Sequence, residues 1–166
     1  MMLAPFTNLL GDSEPTSEAR LNDSISDNLA VALDLARRGF AVFPVRDWGD
    51  GDGRKPISGF PDKASTDAAQ IREWWKRWPD AVAALLAGER NGITVLDIDR
   101  KNGRDGVATL QAMGLGVGAS PMRTRTPSGG WHLFFRYDPR LKNSASKVGE
   151  GLDVRTTGGF VIAPGA

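Results

Sequence analysis

The sequence predicts an α+β domain: a mixed or antiparallel sheet with helices packed on one side of it. Three observations lead there. Short apolar runs of strand length are interspersed with amphipathic helical stretches, the later strand-like runs come in pairs divided by Gly-rich turns, and no internal repeat is present. With 166 residues, 40% of them hydrophobic and 25% charged, the chain is long enough for one sizeable core and too short for two.

Residues 1–24 are rich in Ser, Asp, Glu, Asn, Thr and Pro without a sustained period, which predicts a flexible leader before a folded domain over residues 25–166. Leu29, Ala32, Leu33 and Ala36 then recur at helical spacing. Ser26 or Asp27 would cap this helix, Arg37 and Arg38 complement its C-terminal dipole, and Gly39 ends it. FAVFPV (residues 40–45) reads as a strand, and the Gly/Pro-punctuated residues 48–66 as a long mobile loop. DAAQIREWWKRW (67–78) is a second helix, capped by Ser65 or Thr66 and stopped by Pro79. AVAALLAG (81–88) and ITVLDID (93–99) are strands joined by the turn GERNG, and residues 106–113 are helical. MRTRT with WHLFFRY, and LDVRT with GFVIAP, are expected to form two hairpins.

The absence of cysteine excludes disulfides, thiolate zinc sites, iron–sulfur clusters and cysteine nucleophiles, and points to a reducing compartment. A single His excludes sites built on two or three imidazoles, leaving carboxylates as metal ligands. No apolar run approaches the roughly 18 to 20 residues that span a bilayer, so no membrane partner is expected. The net charge of +1 offers no strong global field for nucleic acid, while leaving room for a local patch.

Three segments carry chemistry. In the strand ending Val95-Leu96-Asp97-Ile98-Asp99, alternation sends Asp97 and Asp99 to one face and Leu96 and Ile98 into the core. Two adjacent carboxylates are unfavourable without a neutralising cation, which suggests Mg²⁺ or Mn²⁺; alone, the pair also fits a solvated strand end balanced by Arg100 and Lys101. In Thr126-Pro127-Ser128-Gly129-Gly130-Trp131-His132, turn amides could face an anion with the lone His beside them, although an ordinary hairpin turn has the same composition. In Gly151-Leu152-Asp153-Val154-Arg155, Asp153 and Arg155 share a face, as a third metal ligand beside a cation or as a local ion pair. Lys55 could reach phosphate from the long loop, and Arg123, Arg125, Lys142 and Lys147 could contact template or phosphate. Trp74, Trp75 and Trp78 cannot all share one helix face and are assigned to packing.

Taken in order, a strand ending DID, then TPSGGWHLFF, then GLDVRTTGGFVIAP, the chain resembles the N-terminal domain of bifunctional DNA primase/polymerases (Prim-Pol) of the archaeo-eukaryotic primase superfamily. KPISGF followed by KAST and the Trp-rich helix before a Pro agree with it, so the resemblance covers roughly residues 29–166. It implies an RRM-like palm. It also implies that Asp97, Asp99 and Asp153 are catalytic metal ligands holding two divalent cations (Mg²⁺ or Mn²⁺) about 3.5–4 Å apart, and that His132 is the catalytic-motif histidine that binds nucleotide. Lys55, Ser128, Gly129, Gly130 and Arg155 join it as expected nucleotide-binding residues. Gly130 stands where some relatives have Ser, so a hydroxyl contact to phosphate would have to come from Ser128 or from backbone amides.

The activity so implied is template-dependent nucleotidyl transfer, DNA polymerase and primase, on a single-stranded DNA template and primer with dNTP or NTP. The implied setting is cytoplasmic phage or plasmid replication. Because the sequence stops after FVIAPGA and holds no Walker A motif, it is expected to be a fragment of a larger replication protein that carries a helicase domain. Two alternatives use the same residues: a metal-dependent nuclease, and a non-catalytic RRM-like nucleic-acid-binding module, which the missing aromatic RNP1 signature disfavours.

Overall fold

A computed structural model describes residues 17–46 and 55–166, with side chains from Asp27 onward in the first helix. The elements are α1 (Ser17–Arg37), β1 (Val42–Arg46), β2 (Lys55–Pro56), α2 (Phe60–Lys63), α3 (Ala68–Arg77), β3 (Val82–Leu86) and β4 (Ile93–Ile98). They continue with α4 (Gly106–Ala112), β5 (Arg123–Arg125), β6 (Trp131–Arg136), β7 (Ser144–Gly149), β8 (Leu152–Arg155) and β9 (Phe160–Ile162). The class is α+β, and the strands form two antiparallel sheets, ordered β2-β1-β3-β9 and β5-β6-β4-β8-β7.

Helix α1 starts at Ser17, ahead of the expected cap at Ser26 or Asp27, because SEARLNDSI contains no Pro or Gly to interrupt it. Residues 1–16 of the expected leader lie outside the described residues. At the other end Gly39 stops the helix as its sequence suggests: with φ 90° it donates to the Ala36 carbonyl at 2.9 Å. Helix α3 is capped by Asp67 instead of the expected Ser65 or Thr66, its carboxylate accepting from the Ala69 N–H at 2.9 Å; Ser65 lies two residues before the cap, accepting from the Asp67 N–H at 3.0 Å. The expected loop over residues 48–66 is partly regular, since residues 55–66 hold β2, α2 and a bridge from Ser65 to Val42; residues 48–54 lie outside the described residues.

The hairpin of β5 and β6 is present, but LDVRT and GFVIAP do not pair with each other. Strand β8 takes β4 and β7 as neighbours, while β9 crosses to the first sheet and pairs with β3. Burial decides this. Val161 of β9 is buried beside Leu85, and the apolar face of β8 is already committed to the second sheet's core. Strand β7, SASKVG, has too little apolar alternation to be legible as a strand.

One core joins α1, α3 and the first sheet around Ala32, Phe43, Ile71 and Trp75, and includes Val95 and Phe134 from the second sheet. A smaller one sits on the opposite face of the second sheet, where Ile98, Leu133 and Leu152 pack with Leu110 of α4. Strand β4 is therefore sandwiched. Leu96 and Ile98 face α4, whereas Val95 faces the first sheet; two residues beyond Val95, on the same face, Asp97 emerges at the edge of the shared core.

Candidate active site

Strands β6, β4 and β8 lie side by side, and their register sets His132 opposite Asp97 and Asp97 opposite Asp153. Opposed residues of antiparallel strands project to one face, so the three form a row across the sheet, which Thr124 of β5 extends. Asp99 follows the end of β4, its N–H donating to Gly151 O and its carbonyl accepting from Gly106 N, both at 2.8 Å. One oxygen from each of Asp97, Asp99 and Asp153 falls within 4.8 Å of the others.

Three carboxylates this close repel, and cations offset them. Arg155 donates to Asp153 Oδ2 at 2.7 Å and stands 3.8 Å from Asp97 Oδ2, and Lys101 Nζ is 3.3 Å from Asp99; next to these two cations, the His132 ring places Nε2 3.4 Å from Asp97 Oδ1. The second oxygen of Asp153 accepts the Ser146 N–H at 2.8 Å. Ser146 adopts a left-handed φ of 52°, a strained conformation for a non-Gly residue, within the irregular β7–β8 pairing. That irregularity aims its N–H at the carboxylate.

The row faces a cleft of about 500 Å³ between the sheets, walled by Asp97, His132, Arg155, Asn143, Phe60 and Phe160. A neighbouring cavity of about 520 Å³ shares His132 and Ile162 and adds Thr124, Arg125, Thr126 and Pro127. His132 forms part of both walls. Its Nδ1 is buried with no hydrogen-bond partner among the described residues, a costly state for a ring nitrogen.

Asp97, Asp99, Asp153, His132 and Arg155 are thus brought together, and the others sit farther out. Gly130 borders the row, where a Cβ would stand 2.0 Å from the Ile98 carbonyl oxygen, so a serine does not fit here. Ser128 is exposed in the β5–β6 turn, its hydroxyl 3.1 Å from that of Thr126, with Gly129 beside it. Lys55 is exposed on β2 across from Arg46, outside both cavities. Arg123, Lys142 and Lys147 are exposed and also outside them, while Arg125 lines the second. Trp74 and Trp75 are core residues, with Trp75 Nε1 donating to Ala81 O at 3.0 Å.

Sequence reasoning missed Ser146 and Asn143. The Asn143 side chain donates to Thr157 O and accepts from Thr156 N, both at 2.8 Å, fixing the crossing from β8 to β9 that roofs the cleft. Neither residue belongs to a motif. Their roles arise from contacts made 7 and 13 or more residues away.

A row of oxygen ligands on an antiparallel sheet, with a histidine and an arginine at its flank, is a donor set suited to hard divalent cations and phosphate. The family model for bifunctional DNA primase/polymerase, N-terminal (Prim-Pol), matches residues 32–166, which contain every one of these residues, and the chain belongs to this family. Membership implies a primase/polymerase domain of the nucleotidyltransferase type, with DNA and nucleotides as substrates. No curated protein matches the chain. No helix among the described residues is long and apolar enough to cross a membrane.

Proposed function

We propose that Asp97, Asp99 and Asp153 hold two divalent cations, Mg²⁺ or Mn²⁺, for template-directed nucleotidyl transfer, the DNA polymerase and primase chemistry of the family. The second sheet serves as the palm of an RRM-like catalytic core. One observation carries this reading: three carboxylates from two separate stretches of chain, Asp97 and Asp99 at the end of β4 and Asp153 on β8, each bring an oxygen within 4.8 Å of the others beside a cleft that Asp97 lines. Their hard oxygen donors fit either metal. When bound, the cations neutralise triphosphate charge, activate the primer hydroxyl and stabilise the pyrophosphate leaving group.

In the reaction, the primer 3′-oxygen forms a bond to the α-phosphorus of the nucleotide, the bond to pyrophosphate breaks, and the hydroxyl proton leaves to solvent. The chain's part is positioning and charge. Asp153 is held by Ser146 N–H and Arg155, so its orientation is set before any ligand arrives. His132 lies at the junction of the two cavities, its Nε2 beside Asp97, where the ring is placed to meet a phosphate of the nucleotide. Arg155, one-third exposed, supplies a second phosphate contact. The backbone of Gly130 lies beside them, with Ser128, Gly129 and Lys55 left to a ligand extending outward over the surface.

The test is extension of a labelled primer on single-stranded DNA with dNTPs and Mn²⁺ or Mg²⁺. Metal-dependent extension by the wild type, abolished in Asp97→Ala with Asp99→Ala at an unchanged melting temperature, is expected. Equal extension by the double variant would overturn the assignment, and metal-dependent template cleavage without dNTP would replace it with a nuclease.

A further inference from the structure

On the first sheet, away from the carboxylates, a cavity of about 590 Å³ lies among β1, α2 and α3. Among the described residues, Arg46, Lys63 and Arg77 line it with a single carboxylate, Glu73, so cations outnumber carboxylates in the described lining. Its aromatic surface comes from Trp74, buried in the core, and Trp78, half-buried. The guanidinium carbons of Arg46 and Arg77 lie 5.0 and 4.9 Å from the centre of the Trp78 ring. These contacts lay both guanidinium groups over the indole ring, so cation and aromatic ring form one layered surface on which a base can stack.

That combination recognises a flat ring joined to a negative charge, as in an unpaired nucleobase with its phosphate. Paired bases are hidden within the duplex, and an acidic peptide would leave the indole surface unused. Helix α2 argues for a strand over a free nucleotide. Its first residue, Phe60, walls the carboxylate cleft, while its last, Lys63, lines this cavity. They sit within one helical turn, so the same short helix borders both cavities and a strand of several nucleotides can cross it from one to the other.

We propose that this Trp78–Arg46–Arg77 cavity is a second nucleic-acid site, which seats an unpaired base and phosphate of single-stranded DNA whose neighbouring nucleotides cross α2 toward the carboxylate cleft. Only the strand's destination rests on the function proposed above; the pocket's own chemistry does not.

The experiment measures binding of fluorescein-labelled oligothymidylate by anisotropy, without metal or dNTP, so that failure of catalysis and failure of this site are read separately. Trp78→Ala is expected to weaken binding on the order of tenfold, since base stacking is worth about 1–3 kcal/mol per base. Lys63 and Arg77 are both exposed, so Lys63→Glu with Arg77→Glu tests the site without touching the core. This variant should lower the slope of log affinity against log salt by at least about 1.4. Photocrosslinking an oligonucleotide carrying iododeoxyuridine should label the peptide containing Trp74 and Trp78. Wild-type affinity in both variants, or crosslinks confined to the carboxylate cleft, would overturn the proposal. Equal weakening for dTTP and for oligonucleotides of every length would replace the strand with a mononucleotide.

Discussion

Asp153 shows how the site is set residue by residue. Its carboxylate is nearly buried, yet both oxygens are satisfied, one by Arg155 and one by the backbone of Ser146. Removing a buried charge's partner is costly, so Asp153→Ala would confuse catalysis with folding, whereas Asp153→Asn keeps the shape and removes the charge. Asp153→Asn should abolish incorporation while retaining the fold by circular dichroism. His132→Ala should act differently, raising KM for dNTP by a larger factor than it lowers kcat, because the imidazole is assigned to ground-state phosphate contact; steady-state primer extension separates the two. Gly130→Ser tests the crowding beside the row. Because a β-carbon at Gly130 would stand only 2.0 Å from Ile98 O, the added atoms should cost about 1–3 kcal/mol in urea denaturation, and a neutral effect would contradict the geometry. Strand alternation made Asp97 and Asp99 legible as one pair and Asp153 and Arg155 as another, whereas only the resemblance to the family joined the two, because the register that sets Asp97 opposite Asp153 is a long-range pairing. Ser146 was not legible, because its left-handed backbone follows from the irregular pairing of two strands.

Strand β4 links the two cores, and its inward residues hold the carboxylates in register. Ile98 is fully buried between Leu110, Leu133 and Leu152, so Ile98→Ala should destabilise by about 2–5 kcal/mol in chemical denaturation. The crossing from β8 to β9 depends on Asn143. Asn143→Ala leaves the Thr156 N–H and Thr157 carbonyl without their partner, so amide exchange at Thr156 should accelerate while that of Val95 in β4 stays slow. Strands β4, β6 and the β5–β6 hairpin were legible from local pattern. The separation of β8 from β9 was not, since a Gly-rich turn between two apolar runs reads as a hairpin whichever sheet each run joins. Packing of Val161 against the first sheet is a long-range effect with no local signal.

At the scale of the whole molecule, the two sheets share a core in which Val95 and Phe134 of one pack with Phe43 and Leu85 of the other. Unfolding of one sheet would expose the other's apolar face. Urea denaturation should therefore give coincident transitions by tryptophan fluorescence and far-ultraviolet circular dichroism, and two separated transitions would show independent units. The shared core also explains why the cleft forms where it does: beyond Val95 and Phe134, the polar pair Asp97 and His132 lines open space between the sheets. Sequence pattern supplied the α+β class and the order of the motifs, but not the division into two sheets on which this cleft depends. The central claim is that the row across β6, β4 and β8 binds the cations of the reaction. Electron paramagnetic resonance titration of Mn²⁺ in the presence of dNTP tests it most directly. Saturable binding in the wild type, lost in Asp97→Ala with Asp99→Ala and sharply weakened in Asp153→Asn, is the predicted result; equal Mn²⁺ binding by all three proteins would contradict it.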